Sequence, residues 1–277
     1  MTPPITVRRF VSGDIEIVAD TAGPADGAPV ILLHGGGQTR GAWGGALAEG
    51  ARRGFLMLSA DLRGHGESGW SASLDYGLAA HARDIGAIAA GLARPPFLVG
   101  ASMGGMAGLA YAASGAPLGG LVLVDIAPSA NPAGVARIMA FMHGAPEGFA
   151  SVEEAADAVA AYLPHRPRPK DTSGLMKNLR LRDGRYHWHW DPRMFQPGAR
   201  EARHDVDLRE AARGLTAPTL LVRGRLSDVL SQAGADDFLR LVPHAQFADI
   251  AGADHMVAGD RNDAFNEAVF AWLEAQR

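Results

Sequence analysis

The chain of 277 residues contains no cysteine. That excludes disulfides, zinc-thiolate sites and thiol catalysis, and fits a reducing compartment. It also lacks any window of about 18 uninterrupted apolar residues, so no membrane-spanning helix is expected. The opening Met1-Thr2-Pro3-Pro4 has neither the basic stretch nor the apolar run of a secretory leader. A soluble cytoplasmic protein is the expectation. Excess charge of one sign is small: 26 Lys and Arg against 30 Asp and Glu leave a formal net charge of -4. This argues against nucleic acid or an anionic membrane as a partner, and a small-molecule substrate is expected instead. No internal repeat is present. The 35 glycines and 17 prolines sit mainly between apolar runs and read as turns.

What is there is globular. Hydrophobic residues make up 47% of the chain and charged residues 20%, enough apolar side chain for a buried core in one α/β domain with an insertion. Residues 7–11 and 14–19 read as an antiparallel hairpin joined at Ser12-Gly13. Compact apolar runs follow at Val30–Leu33, Phe55–Leu58, Phe97–Val99 and Leu121–Val124. Runs apolar on both faces predict strands of a parallel sheet covered by helices on each side. Between them, residues 76–92 place Leu78, Ala82, Ile85, Ala89 and Leu92 on one helical face, and 103–114 are small and apolar. The alternation predicts a doubly wound α/β core. It stops near Pro128 and resumes near Ala217, with strands at 219–222 and 245–250 and a last helix capped by Asp260. The expected division is a core of residues 1–127 and 206–277 with an inserted, mainly helical cap at 128–205. In that cap Asn131-Pro132 and the capping box Ser151-Val152-Glu153-Glu154 start helices.

The chemistry centres on Gly100-Ala101-Ser102-Met103-Gly104-Gly105, which follows a strand and opens a helix. In that setting G-x-S-x-G is a nucleophile elbow: the serine sits on a sharp, strained turn, and small neighbours let strand and helix approach. The helix N-terminus then faces the developing oxyanion. Earlier, His34-Gly35-Gly36-Gly37 follows a strand and resembles the glycine-rich oxyanion loop of esterases. The N–H groups of Gly36, Gly37 and Met103 are therefore the expected oxyanion donors, with His34 bracing the loop by hydrogen bonding.

The His-Gly loop, then Asp61-Leu62-Arg63-Gly64-His65-Gly66-Glu67-Ser68, then the elbow, in this order and spacing, resemble the α/β-hydrolase superfamily across the whole chain. The resemblance implies the chain order Ser, acid, His. His255, in Gly252-Ala253-Asp254-His255-Met256 after the last strand, is then the implied base, although similar proteins more often have glycine where Asp254 stands. The implied acid is Asp228, after the strand at 219–222; its competitor is Asp125, at the end of strand 121–124, where some relatives place it. Asp249 and Asp254 are expected to point elsewhere.

A serine at the elbow, where alkyl-enzyme relatives carry aspartate, implies acyl transfer from a small or medium ester or a lactone without a cofactor. C–C bond hydrolysis of β-diketones, perhydrolysis, and ligand sensing without turnover remain alternatives of the same fold. His34, Phe141, Met142 and Trp188 are the candidate substrate-pocket residues. The alternating Tyr186, Trp188 and Trp190 predict a strand, whose His187 and His189 lack a nearby third metal ligand and read as hydrogen-bonded. His165, Arg166, Arg168 and Lys170 read as a solvated basic stretch.

Overall fold

The computed structural model describes residues 4–164, 168, 171–195, 205–255 and 262–277. Asp260, His165, Arg166, Lys170 and Met256 lie outside the described residues.

The chain opens as a hairpin, β1 (Thr6–Ser12) against β2 (Ile15–Ala22), turning at Gly13, whose φ of 63° a glycine adopts without strain. It continues through β3 (Ala28–Leu33), α1 (Gly44–Arg52), β4 (Phe55–Ala60), α2 (Leu78–Ala89), β5 (Phe97–Ala101), α3 (Met103–Ala113) and β6 (Gly120–Val124). The chain then leaves the sheet and forms α4 (Pro132–His143), α5 (Val152–Tyr162) and an antiparallel pair, β7 (Leu179–Arg182) with β8 (Arg185–Trp188). It returns through α6 (Leu208–Arg213), β9 (Thr219–Gly224), α7 (Gln232–Leu241), β10 (Gln246–Ile250) and α8 (Asn262–Ala275). The eight-stranded sheet runs in the order β1-β2-β4-β3-β5-β6-β9-β10; β1 and β2 are antiparallel to their neighbours and the rest are parallel.

Side-chain alternation explains the doubly apolar runs. Ile31, Leu33, Leu98, Leu121, Leu123 and Leu221 enter a core shared with Ile85 of α2, Leu109 of α3 and Phe238 of α7. Val30, Leu32, Val99, Val122, Val124 and Val222 enter the opposite core, with Leu47 of α1 and Phe265 and Phe270 of α8. Each such side chain, fully buried, contributes roughly 1.5–3 kcal/mol, and both faces of the sheet are covered for that reason.

The segment between β6 and β9 carries a strand pair besides its helices. The sharp reversal at Asp183-Gly184, with φ of 50° and 76°, makes the hairpin. The helix starts follow their sequence signals: the Asn131 side chain accepts from Ala133 N and the Ser151 hydroxyl from Glu154 N. Glu154 reaches back to the Ala150 N–H, one residue short of a reciprocal capping box. The segment is stapled to the core: Asp191 N donates to Gly64 O (2.8 Å) and Arg180 to Gly66 O (3.2 Å) in the turn 61–68, and the Tyr76 hydroxyl, just before α2, donates to Asp191 (2.5 Å). Arg168 pairs with Asp157. No helix among the described residues is long and apolar enough to cross a membrane.

Candidate active site

Parallel strands end together, and their C-terminal loops share one rim of the sheet. Ser102 follows β5 there, Asp125 follows β6, His34–Gly37 follow β3 and His255 follows β10. Ser102 has φ 47° and ψ -113°, a strained backbone for a non-glycine residue and the N-cap of α3. The strain is held by close packing on both sides. A Cβ on Gly100 would overlap the Gly104 carbonyl, one on Gly104 would overlap the Leu33 carbonyl, and one on Gly105 would lie 2.5 Å from Ile126 Cγ2. Glycine at these positions lets α3 lie directly on β5 and β3. The Ser102 N–H donates to Val124 O (3.1 Å), so the turn remains tied to β6. As first residue of α3, Met103 presents an N–H without an intrahelical acceptor.

The loop 34–37 runs beside Ser102: a Cβ on Gly35 would lie 3.5 Å from the Ser102 Cβ. His34 is fully buried, with Nδ1 on Gly35 O (2.8 Å) and Nε2 accepting from Leu62 N (2.9 Å). Both nitrogens are spent on backbone, so His34 braces the loop and does not line a substrate pocket, contrary to its place among the expected pocket residues. Gly37 is corrected too. Its N–H donates to His65 Nε2 (3.2 Å) and is therefore engaged, unlike that of Gly36 among the two expected loop donors. The Gly36 N–H has no hydrogen-bond partner among the described residues. His189, just past β8, donates from Nε2 to Gly37 O (3.2 Å) and accepts from Gly66 N at Nδ1 (2.8 Å).

His34, His65 and His189 are thus buried rings, each with one nitrogen that must stay unprotonated to accept an N–H. Burial lowers all three pKa values: His34 below its ordinary value, His65 well below, with His34 and His189 adding to the effect, and His189 to about 4. A depressed histidine pKa makes the unfolded chain bind more protons than the native one between the two values. The stabilisation is therefore complete above about pH 6.5 and lost as pH falls toward 4. His189 alone accounts for about 2 kcal/mol between pH 7 and 5 on this footing. Thermal unfolding should show Tm falling steadily over that window; a flat Tm from pH 7 to 5 would show that the rings are not held neutral.

On the acid side the structure departs from the sequence expectation. His255 Nδ1 lies 2.7 Å from Asp125 Oδ2, not on Asp228. Asp125 is completely buried; Oδ1 accepts from Gly224 N (2.9 Å), and Oδ2 also accepts from the Ser227 hydroxyl. Asp228 lies in the turn after β9 and pairs with Arg137 of α4 (2.7 Å) at the half-exposed surface. Neighbouring Val229 and Leu230 are buried and anchor the turn. In the sheet β9 separates β6 from β10, so His255 must cross its end. Gly224 makes the crossing possible, because a Cβ there would overlap the Asp254 carbonyl. Asp249 is held by Arg223 and Arg225.

The remaining expectations divide. Phe141 and Trp188 line a cavity of about 350 Å³ with Arg137, Phe149 and Tyr162. Met142 instead packs on the loop, its Sδ 3.5 Å from where a Cβ of Gly36 would stand. Aromatic contacts run unbroken from Tyr162 through Phe141 and Trp188 to Trp190, which touches Gly37. Sequence reasoning missed Tyr162, and it set His189 aside as part of a pair on one strand face; nothing in local pattern says which loop such a ring meets. The Asp61–Ser68 turn is scaffold: Arg40 pairs with Asp61 and Glu67, and Arg63 grips Asp84 with two bonds of 2.7 Å. No group of three or more His, Cys, Asp or Glu able to hold a metal occurs among the described residues.

The chain is similar to known proteins. The chain is 32% identical over 258 residues to an esterase of Mycobacterium tuberculosis, covering 89% of this chain and 83% of that protein. It is 30% identical over 253 residues to N-formylmaleamate deformylase of Pseudomonas putida, covering 90% and 89%. In fold it superimposes on the crystal structure of E-2-(acetamidomethylene)succinate hydrolase with a TM-score of 0.85 at 23% identity, over 98% of this chain and all of that one. The model of the Alpha/beta hydrolase family matches residues 30–268. The chain belongs to the alpha/beta hydrolase family and is a hydrolase.

Proposed function

We propose that this protein is a serine hydrolase of small or medium carboxylic esters, working through an acyl-enzyme on Ser102. The observation that carries the reading is the His255–Asp125 pair at 2.7 Å, on the same rim as the strained Ser102 turn. With Nδ1 engaged by a buried carboxylate, His255 has Nε2 left to take the Ser102 proton. The serine oxygen bonds to the carbonyl carbon, and the oxyanion is met by the N–H groups of Gly36 and Met103. The tetrahedral adduct collapses, the C–O bond to the alcohol breaks, and His255 returns the proton to the leaving oxygen. Water, deprotonated by His255, then releases the acid and Ser102. No step calls for a cofactor.

Residues 128–205 are assigned the role of a cap, with 1–127 and 206–277 as the core. The cavity beside Phe141 and Trp188 is assigned to the apolar part of the substrate. Similarity to an esterase over most of both chains supports ester cleavage. Similarity to N-formylmaleamate deformylase supports a second reading, hydrolysis of a small N-acyl compound at the same residues.

The test is a kcat/KM panel of p-nitrophenyl esters, lactones, N-formyl amides and β-diketones, with fluorophosphonate labelling alongside. Labelling and turnover of the short esters are expected. Turnover of N-formyl amides with esters inert would favour the second reading, and absence of both labelling and turnover would remove the hydrolase mechanism.

A further inference from the structure

Three consecutive peptide groups of the loop after β3 are each held by one buried histidine. His34 holds the Gly35–Gly36 peptide by its carbonyl, His65 the Gly36–Gly37 peptide by its N–H, and His189 the Gly37–Gln38 peptide by its carbonyl. All are trans, so the carbonyl held by His189 also directs the N–H of the same peptide, that of Gln38, which donates to Gly35 O (3.2 Å) on the peptide that carries the Gly36 N–H. His34 and His65 belong to the core. His189 arrives from the segment between β6 and β9, 152 residues away from Gly37 in sequence.

We propose that His189 is a positioning residue for the oxyanion loop, making the aim of the Gly36 N–H depend on the inserted segment being seated on the core. The inference rests on the reading of Gly36 as an oxyanion donor. The ring is 1% exposed and uses both nitrogens, donating to Gly37 O and accepting from Gly66 N. Burial above all, with His34 and Arg180 beside it, favours the neutral form this requires, while the Gly37 carbonyl and the Asp61 carboxylate act in the opposite direction. The next residue repeats the contact, since Trp190 Cζ3 lies 3.2 Å from where a Cβ of Gly37 would stand. Gly37 itself has φ 75°, a conformation that needs holding because glycine has many others within reach. His189 touches no reacting atom. Its effect is to remove freedom from a loop whose N–H must meet a charge that exists only in the transition state.

His189→Phe keeps an aromatic ring and removes both hydrogen bonds. Its kcat for a p-nitrophenyl ester should fall about 10- to 100-fold, with KM changed less than about threefold, because oxyanion stabilisation is lost from the transition state and not from substrate binding. His189→Gln offers an acceptor and a donor on one side chain and should recover kcat to within about tenfold of wild type. A folded Phe variant with wild-type kcat, or a loss confined to KM, overturns the proposal. If the Phe variant does not fold, the Gln variant decides: a fall in kcat of up to about tenfold with KM unchanged supports it, and wild-type kcat or a loss confined to KM overturns it. Ser102→Ala run in parallel separates the two readings, since activity at the wild-type level after that change would dismiss the acyl-enzyme reading on which the inference rests, whatever His189 does.

Discussion

Ser102→Ala should lower kcat/KM for a p-nitrophenyl ester by about 10⁴- to 10⁶-fold while leaving Tm within a few degrees of wild type. At the upper end this is about 8 kcal/mol of transition-state stabilisation lost with one oxygen atom. The fold should tolerate the change. The backbone conformation at Ser102 is imposed by the packing of Gly100, Gly104 and Gly105 against neighbouring strands, and no hydrogen bond of the Ser102 hydroxyl caps α3. Alanine meets the same backbone strain as serine. The residual rate would come from the Gly36 and Met103 N–H groups and from substrate binding, which the substitution leaves in place. Labelling by a fluorophosphonate should vanish in parallel. Equal labelling of both proteins would move the nucleophile elsewhere.

Asp125→Asn should lower kcat by about 10⁴-fold, whereas Asp228→Asn should change it by no more than about threefold. Asparagine keeps the shape of Asp125 but places a donor where the acceptor stood. The His255 ring then loses the partner that holds its Nδ1 protonated and its Nε2 free. The Gly224 N–H and the Ser227 hydroxyl add to the cost, because both donate to the same buried carboxylate. At Asp228 the change removes one half-exposed pair with Arg137, worth about 0–1 kcal/mol. Assaying the two variants side by side settles the acid: a large loss in Asp228→Asn with a small one in Asp125→Asn would return the role to Asp228.

Most of the architecture was open to reading in the sequence. Strands such as Val30–Leu33 and Leu121–Val124 are apolar on both faces because each face meets its own helical layer, and that local signature needs no long-range knowledge. The elbow is equally local, since close approach of a strand and the helix it feeds requires glycine at Gly100, Gly104 and Gly105 wherever the rest of the chain goes. Helices α1 and α7 were less legible. Their buried faces, Ala46, Leu47, Gly50 and Ala51 in α1 and Gly234, Ala235 and Phe238 in α7, consist mostly of alanine and glycine, residues that loops also carry. The β7–β8 pair showed only as alternation through Tyr186, Trp188 and Trp190, of which Trp190 lies beyond the strand.

For the site, sequence determined which residue types stand at which strand ends: a serine in a strained turn, a glycine loop, a late histidine and two candidate acids. Tertiary structure decided how they are joined. Asp125 meets His255 because Gly224 lets the chain cross the end of β9, a steric fact at a residue that carries no chemistry. Asp228 is turned outward by Arg137 and by the burial of the two residues that follow it. The Gly37 N–H is taken by His65, 28 residues on, and its carbonyl is held by His189 from the segment between β6 and β9. Local sequence encodes local sterics and periodicity. Which ring nitrogen meets which peptide group depends on strand order and loop path, and those exist only once the sheet has formed.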